Sequence, residues 1–204
     1  MRAKKKSWSI GAIAVAGLLA VPALAQERGE ARVFNPDRTG RNLSRDLSVG
    51  VGAGVNAFTG NLGRATDTGG YLGIQADARP SSIIGLELGY EGSRNNFTNL
   101  SGGLWRHNVG ALAKVGPELG RNHNLRPFVG AGVGMSVINP SGGGELLYNN
   151  DFVGEVPLAV GIDYNIGNVR AGARATYRLV GGQDQGALQT GDIANVGLQV
   201  GGAF

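Results

Sequence analysis

Eight stretches of this chain alternate apolar residues with small or polar ones, and a period of two is the pattern of a strand with two unlike faces. In "LSVGVGAGVNA" (47–57) Leu47, Val49, Val51, Ala53, Val55 and Ala57 share one face, and Ser48, Gly50, Gly52, Gly54 and Asn56 the other. The same grammar returns at 71–79, 83–92, 104–115, 125–137, 156–164 and 169–179, and again from Ile193 to Phe204. The joining segments differ in length. "RPSS" (79–82) and "NIGN" (165–168) are short and "GPELGRNHN" (116–124) is intermediate, whereas 60–70, 93–103, 138–150 and 180–191 are longer and rich in Gly, Asn and Asp. Tight connections on one side and long ones on the other predict an up-and-down meander with both ends of the sheet on the short-turn side.

Alternation alone leaves open which face is the core. In a soluble barrel, such as a lipocalin-like binder, the apolar rows would meet one another; in a membrane barrel they meet lipid and the polar rows enclose the lumen. Three features favour the second arrangement. The opening "MRAKKKSWSIGAIAVAGLLAVPALAQ" has a basic start, a short apolar run and Ala23-Leu24-Ala25 before Gln26, so residues 1–25 are expected to be a cleavable signal peptide. The aromatic residues Tyr71, Tyr90, Trp105, Tyr164, Tyr177 and Phe204 gather near strand ends, and those pointing outward suit interfacial girdles. Finally, the polar rows are mostly glycine. The chain holds 37 glycines without a collagen period, and eight strands leave an interior barely wide enough for side chains.

The fold expected is therefore all-β: an eight-stranded antiparallel up-and-down transmembrane β-barrel over 47–204, preceded by the signal peptide and by a flexible periplasmic leader at 26–46. Strands of nine to eleven tilted residues cross a bilayer, and closure removes the edges that lipid does not tolerate. The net charge of +4 does not indicate nucleic-acid binding, because Arg2, Lys4, Lys5 and Lys6 lie in the signal and the remaining 15 basic residues balance 15 acidic ones. The chain has no cysteine, so neither a lipoprotein anchor nor a disulfide framework is available.

The eight-stranded meander, "RPFVGAGVG" in the fifth strand and the terminal strand ending in Phe204 resemble the OmpA/OmpX-type small outer-membrane barrels over residues 47–204. That resemblance implies outer-membrane lipid and, during biogenesis, the barrel-assembly machinery as partners, with Val196, Leu198, Val200 and Phe204 as the assembly signal. A monomer in the outer membrane of a Gram-negative-type bacterium is expected, with no nucleic-acid partner.

If the polar face is the lumen, it encloses a charge network of Asp77, Glu87, Glu91, Arg106, Lys114, Asp163, Arg170 and Arg174, because unpaired charges in so narrow a space are costly. Asp163 is expected across the hairpin from Arg170, and Glu87 beside Lys114. Arg79, Arg126 and Arg178 are expected at the rims, facing water. Such a plug predicts a structural, envelope-integrity or surface-contact role; the alternative is a narrow pore for small or apolar solutes. Catalysis is not expected. The two histidines lie apart, His107 on the lipid-facing parity and His123 in a turn, and neither has a nucleophile and acid arranged beside it in sequence. No metal-ligand spacing and no cofactor motif occurs. In the 138–150 loop, Leu146, Leu147 and Tyr148 are expected to extend strands five and six beyond the membrane rather than to form a sticky contact site.

Overall fold

The computed structural model describes residues 47–120, 124–143, 151–181 and 191–203. The signal and leader segments, His123, Leu146, Leu147, Tyr148 and Phe204 lie outside the described residues. The strands are β1 (Leu47–Phe58), β2 (Gly69–Ala78), β3 (Ile84–Asn96), β4 (Gly102–Val115), β5 (Leu125–Gly142), β6 (Asp151–Ile166), β7 (Val169–Gly181) and β8 (Ile193–Ala203). Each pairs antiparallel with its sequence neighbour, and β1 closes the barrel on β8 from Ser48↔Ala203 to Phe58↔Ile193.

The alternation resolves into an inside-out arrangement. Outward-facing Leu72, Leu198 and Val133 keep 72%, 70% and 67% of their surface exposed, while Asp163, Arg106 and Lys114 keep 0%, 1% and 2%. An exposed aliphatic belt of this extent around a buried ionic centre reverses the usual distribution for a water-soluble protein. Trp105, Tyr164 and Tyr177 are exposed on the outer face. Tyr71, on the same row as Gln75 and Asp77, is not part of that girdle: it points inward and is buried, over Gly54 and Gly197, where a Cβ would strike its ring or hydroxyl. Glycine at those two positions makes room for an inward phenol.

Several strands run further than expected. β3 continues to Asn96, β4 starts at Gly102, β5 reaches Gly142 and β6 begins at Asp151, so the 93–103 and 138–150 segments are partly barrel wall. The 60–70 segment holds a helical turn, α1 (Gly60–Ala65), where a loop was expected. Gly60 leaves β1 at φ 63, a backbone angle that costs glycine little. The Gly63 amide then donates to Thr59 O at 3.0 Å and the Thr66 hydroxyl to Leu62 O at 2.9 Å. At the opposite end the β6–β7 hairpin turns through Gly167, with φ 60, and Asn168.

The β5–β6 ladder is interrupted opposite Val156 and Pro157, between the pairs Ala131↔Leu158 and Gly134↔Glu155. Proline has no N–H to give a ladder. The register on either side of the interruption is the same, so no residue is inserted.

Candidate functional site: an ionic lumen under an apolar cap

The barrel interior is stacked in layers, each set by residues of one parity on successive strands. Nearest the long loops, Phe58, Leu62, Phe97, Leu104, Ile138, Val153 and Ile193 are buried together, with Val180 packed against them. Leu62 arrives from α1. The Thr98 amide donates to Ala65 O at 3.0 Å and Asp67 N to Asn96 O at 2.8 Å, which ties the segment after β1 to the β3–β4 tip. This cap is hydrophobic throughout, and the sequence reading, which put only polar and glycine residues inside, did not foresee it. Directly beneath, the Asn56 amide donates to Asn95 Oδ1 at 2.8 Å.

The next layer is a ring of two carboxylates and two guanidinium groups. Arg106 grips Glu155 with two parallel bonds, Nε to Oε1 at 2.8 Å and Nη2 to Oε2 at 2.6 Å, and its Nη1 donates to Glu91 Oε1 at 2.7 Å. Arg178 donates to Glu91 Oε2 at 2.9 Å and stands 3.5 Å from Glu155 Oε2. Neutral donors satisfy the remaining lone pairs: Asn108 and Ser136 bond Glu155 at 3.0 and 2.5 Å, and Asn195 bonds Glu91 at 2.9 Å. Planar two-pronged pairing of this kind is the geometry in which arginine exceeds lysine.

Lower down, Lys114 bridges Asp77 at 2.6 Å and Glu87 at 2.5 Å, and Arg174 donates to the other oxygen of Glu87 at 2.6 Å. Asp163 accepts from Gln199 at 2.7 Å and from Arg79 at 3.4 Å, while Gln75 donates to Gln199 at 3.1 Å. The Lys114 ammonium also lies 4.9 Å above the Phe128 ring, and Phe128, Leu112 and Ala159 form a second apolar patch on the lumen wall. Between the two ionic layers a cavity of about 40 Å³ is bounded by Tyr71, Gln75, Glu87, Arg174, Arg178 and a belt of inward glycines that includes Gly52, Gly73, Gly89 and Gly110. A polar space of that size holds a few waters at most.

All eight charged residues named from sequence, Asp77, Glu87, Glu91, Arg106, Lys114, Asp163, Arg170 and Arg174, turn inward. Two expectations about the charged residues of the barrel are corrected. Asp163 stands opposite Gly172, and Arg170 opposite Asn165. Arg170 accordingly donates to Asn165 at 3.2 Å and lies 3.8 Å from Asp77, whereas Asp163 goes to Arg79. A two-residue turn fixes this register, one pair off from the expected one. Nor are Arg79 and Arg178 rim residues facing water: both are buried and ion-paired. Arg126 lies nearer the short-turn end of the barrel, but it too is largely enclosed, paired with Glu118 at 2.7 Å. Glu155 escaped the sequence reading altogether. Phe152 and Val153 are both apolar, so the alternation fades there, although Glu155 continues the inward parity of Asp163.

Val196, Leu198 and Val200 lie on the outward row of β8 and are exposed. His107 is on the outer face, with its Nδ1 2.7 Å from the Tyr90 hydroxyl and the two rings stacked at 6.2 Å between centroids. Among the described residues no group of three or more His, Asp or Glu side chains is placed to hold a metal ion.

No protein-family model and no curated protein matches the sequence. Solved structures do match. Neisserial surface protein A is similar at a TM-score of 0.61 and 17% identity, covering 78% of this chain and 97% of that one. Outer membrane protein OprG from Pseudomonas aeruginosa is similar at 0.51 and 12% identity, covering 80% of this chain and 99% of that one. The fold is that of the small eight-stranded outer-membrane barrels. In this chain its interior is filled by buried charged residues.

Proposed function

We propose that the protein is an integral outer-membrane barrel with a closed lumen, serving envelope integrity or surface contact rather than catalysis or bulk transport. It reaches the membrane by a cleaved signal peptide, is inserted by the barrel-assembly machinery through the outward Val196, Leu198, Val200 row and Phe204, and works as a monomer among outer-membrane lipids. The observation that carries this reading is the order of materials across the wall: an aliphatic outer belt, an ion-paired interior and an apolar cap beneath the long loops. Charges that satisfy one another leave little reason for water to form a column, and the cap excludes water from the loop side.

Planar-bilayer recording of the folded protein tests the closed lumen. The expected trace has no large steady conductance; a stable open level of porin size would overturn the plug and favour a solute pore.

A further inference from the structure

We propose that the outer face of β3 and β4 carries a site for the phosphate-bearing headgroup of a membrane lipid, built on Arg94 and Trp105. The inference rests on the bilayer placement proposed above. The Arg94 guanidinium lies 5.2 Å from the Trp105 ring centroid, and the two residues are register partners on adjacent strands. On the outward rows of the eight strands, Arg94 and His107 are the only described residues drawn from Arg, Lys, His, Asp and Glu. They stand together instead of being scattered round the barrel.

Pairing sets Arg94 apart. Every basic side chain of the lumen has a carboxylate within 3.8 Å. Arg94 is exposed and has none among the described residues; its recorded contact is the tryptophan face. A cation held by an aromatic ring keeps its N–H donors free for an external anion.

Depth identifies the source of that anion. Along the outward row of β3, Ile84, Leu86 and Leu88 give way to Tyr90, Gly92 and Arg94. At about 3.3 Å per residue Arg94 stands roughly 33 Å along the strand from Ile84. With a tilt near 40° that is about 25 Å of height, the thickness of the apolar band of such barrels. Arg94 therefore lies at the edge of the acyl region on the long-loop side, level with headgroups. Trp105 faces Asn139 on its other flank. Val109 and Met135, both exposed, continue downward as a surface for acyl chains. The stacked Tyr90 and His107 stand between these two zones and offer neutral hydrogen-bonding groups.

The full chain reconstituted in phosphatidylcholine vesicles doped with either phosphatidic acid or phosphatidylserine tests the proposal, with native mass spectrometry reading the lipid retained on release. Wild-type protein should retain phosphatidic acid about fivefold more than Arg94→Gln does, the effect of one interfacial charge. Arg94→Lys should keep most of that retention, and Trp105→Leu should lower it. A heat-shift gel establishes that each variant is folded. Equal retention of both anionic lipids by wild type and Arg94→Gln would overturn the site while leaving the barrel in the membrane. Wild-type protein that fails to float with the vesicles would instead remove the bilayer placement, and the site with it.

Discussion

Arg106 and Glu155 meet across the barrel from non-adjacent strands, β4 and β6, through two parallel bonds of 2.8 and 2.6 Å, both side chains fully enclosed. Neighbouring strands already hold each other by their ladders. A link between β4 and β6 instead fixes the cross-section of the barrel, and the Ser136 bond to the same carboxylate brings in β5, with Asn108 adding a second hold from β4. Removing one partner leaves the other charge buried without compensation. Glu155→Ala is expected to cost about 3–5 kcal/mol, read from the midpoint of urea unfolding in bilayers. Arg106→Met combined with Glu155→Leu should recover a large part of that loss, and the double-mutant cycle gives the coupling.

Depth inside the lumen sets how much each arginine matters. Arg178 is buried between two carboxylates, Glu91 and Glu155, whereas Arg126 pairs with Glu118 near the short-turn end of the barrel in a pair that is also largely enclosed. Arg178→Met, which takes the cation from between two buried carboxylates, is expected to destabilise by several kcal/mol, and Arg126→Met, at the short-turn end, by less. The same unfolding series compares them directly. Equal effects would contradict the layered lumen.

At Gly161 the lumen wall is packed to its steric limit. A Cβ on Gly161 would lie 2.6 Å from Phe128 Cζ and 2.7 Å from Ala173 O. Gly161→Ala should therefore cost about 1–3 kcal/mol by overpacking, and Phe128→Leu in the same chain should return part of it. Unfolding midpoints of the single and double variants settle the point.

The apolar cap and the ionic layers are separate barriers. Leu62→Ala removes the side chain that α1 contributes to the cap, and it should speed amide exchange at the loop ends of β1 and β8. Because the Glu91, Arg106, Glu155 and Arg178 ring is untouched, the variant should still show no large conductance. Opening of a steady pore by this change alone would assign closure to the cap and not to the charges.

The parts of this structure legible in the sequence are those that obey a strict two-residue period. Val49 to Val55 and Val156 to Tyr164 announce both the strand and its faces, and the inward Asp77, Glu87 and Lys114 follow from the same parity. Legibility failed where an inward position is apolar. Phe58, Leu104, Ile138, Val153 and Ile193 occupy lumen parity, yet hydrophobicity reads as lipid-facing until the structure shows them meeting one another. Leu112 and Phe128 were hidden in the same way, and Glu155 by the neighbouring Phe152 and Val153. The helical turn Gly60–Ala65 is too short to display a helical period. The Asp163 and Arg170 pairing missed because a hairpin register depends on turn geometry, which charge alone does not reveal.

Which side of the wall meets oil is tested most directly by site-directed spin labelling, for which a chain without cysteine needs no prior substitution. Single cysteines at Leu72, Val133 and Leu198, labelled in protein reconstituted into bilayers, should collide readily with dissolved oxygen and hardly at all with a water-soluble nickel chelate. Free access of the nickel chelate to all three labels would show that these rows face water, and the membrane barrel described here would be wrong.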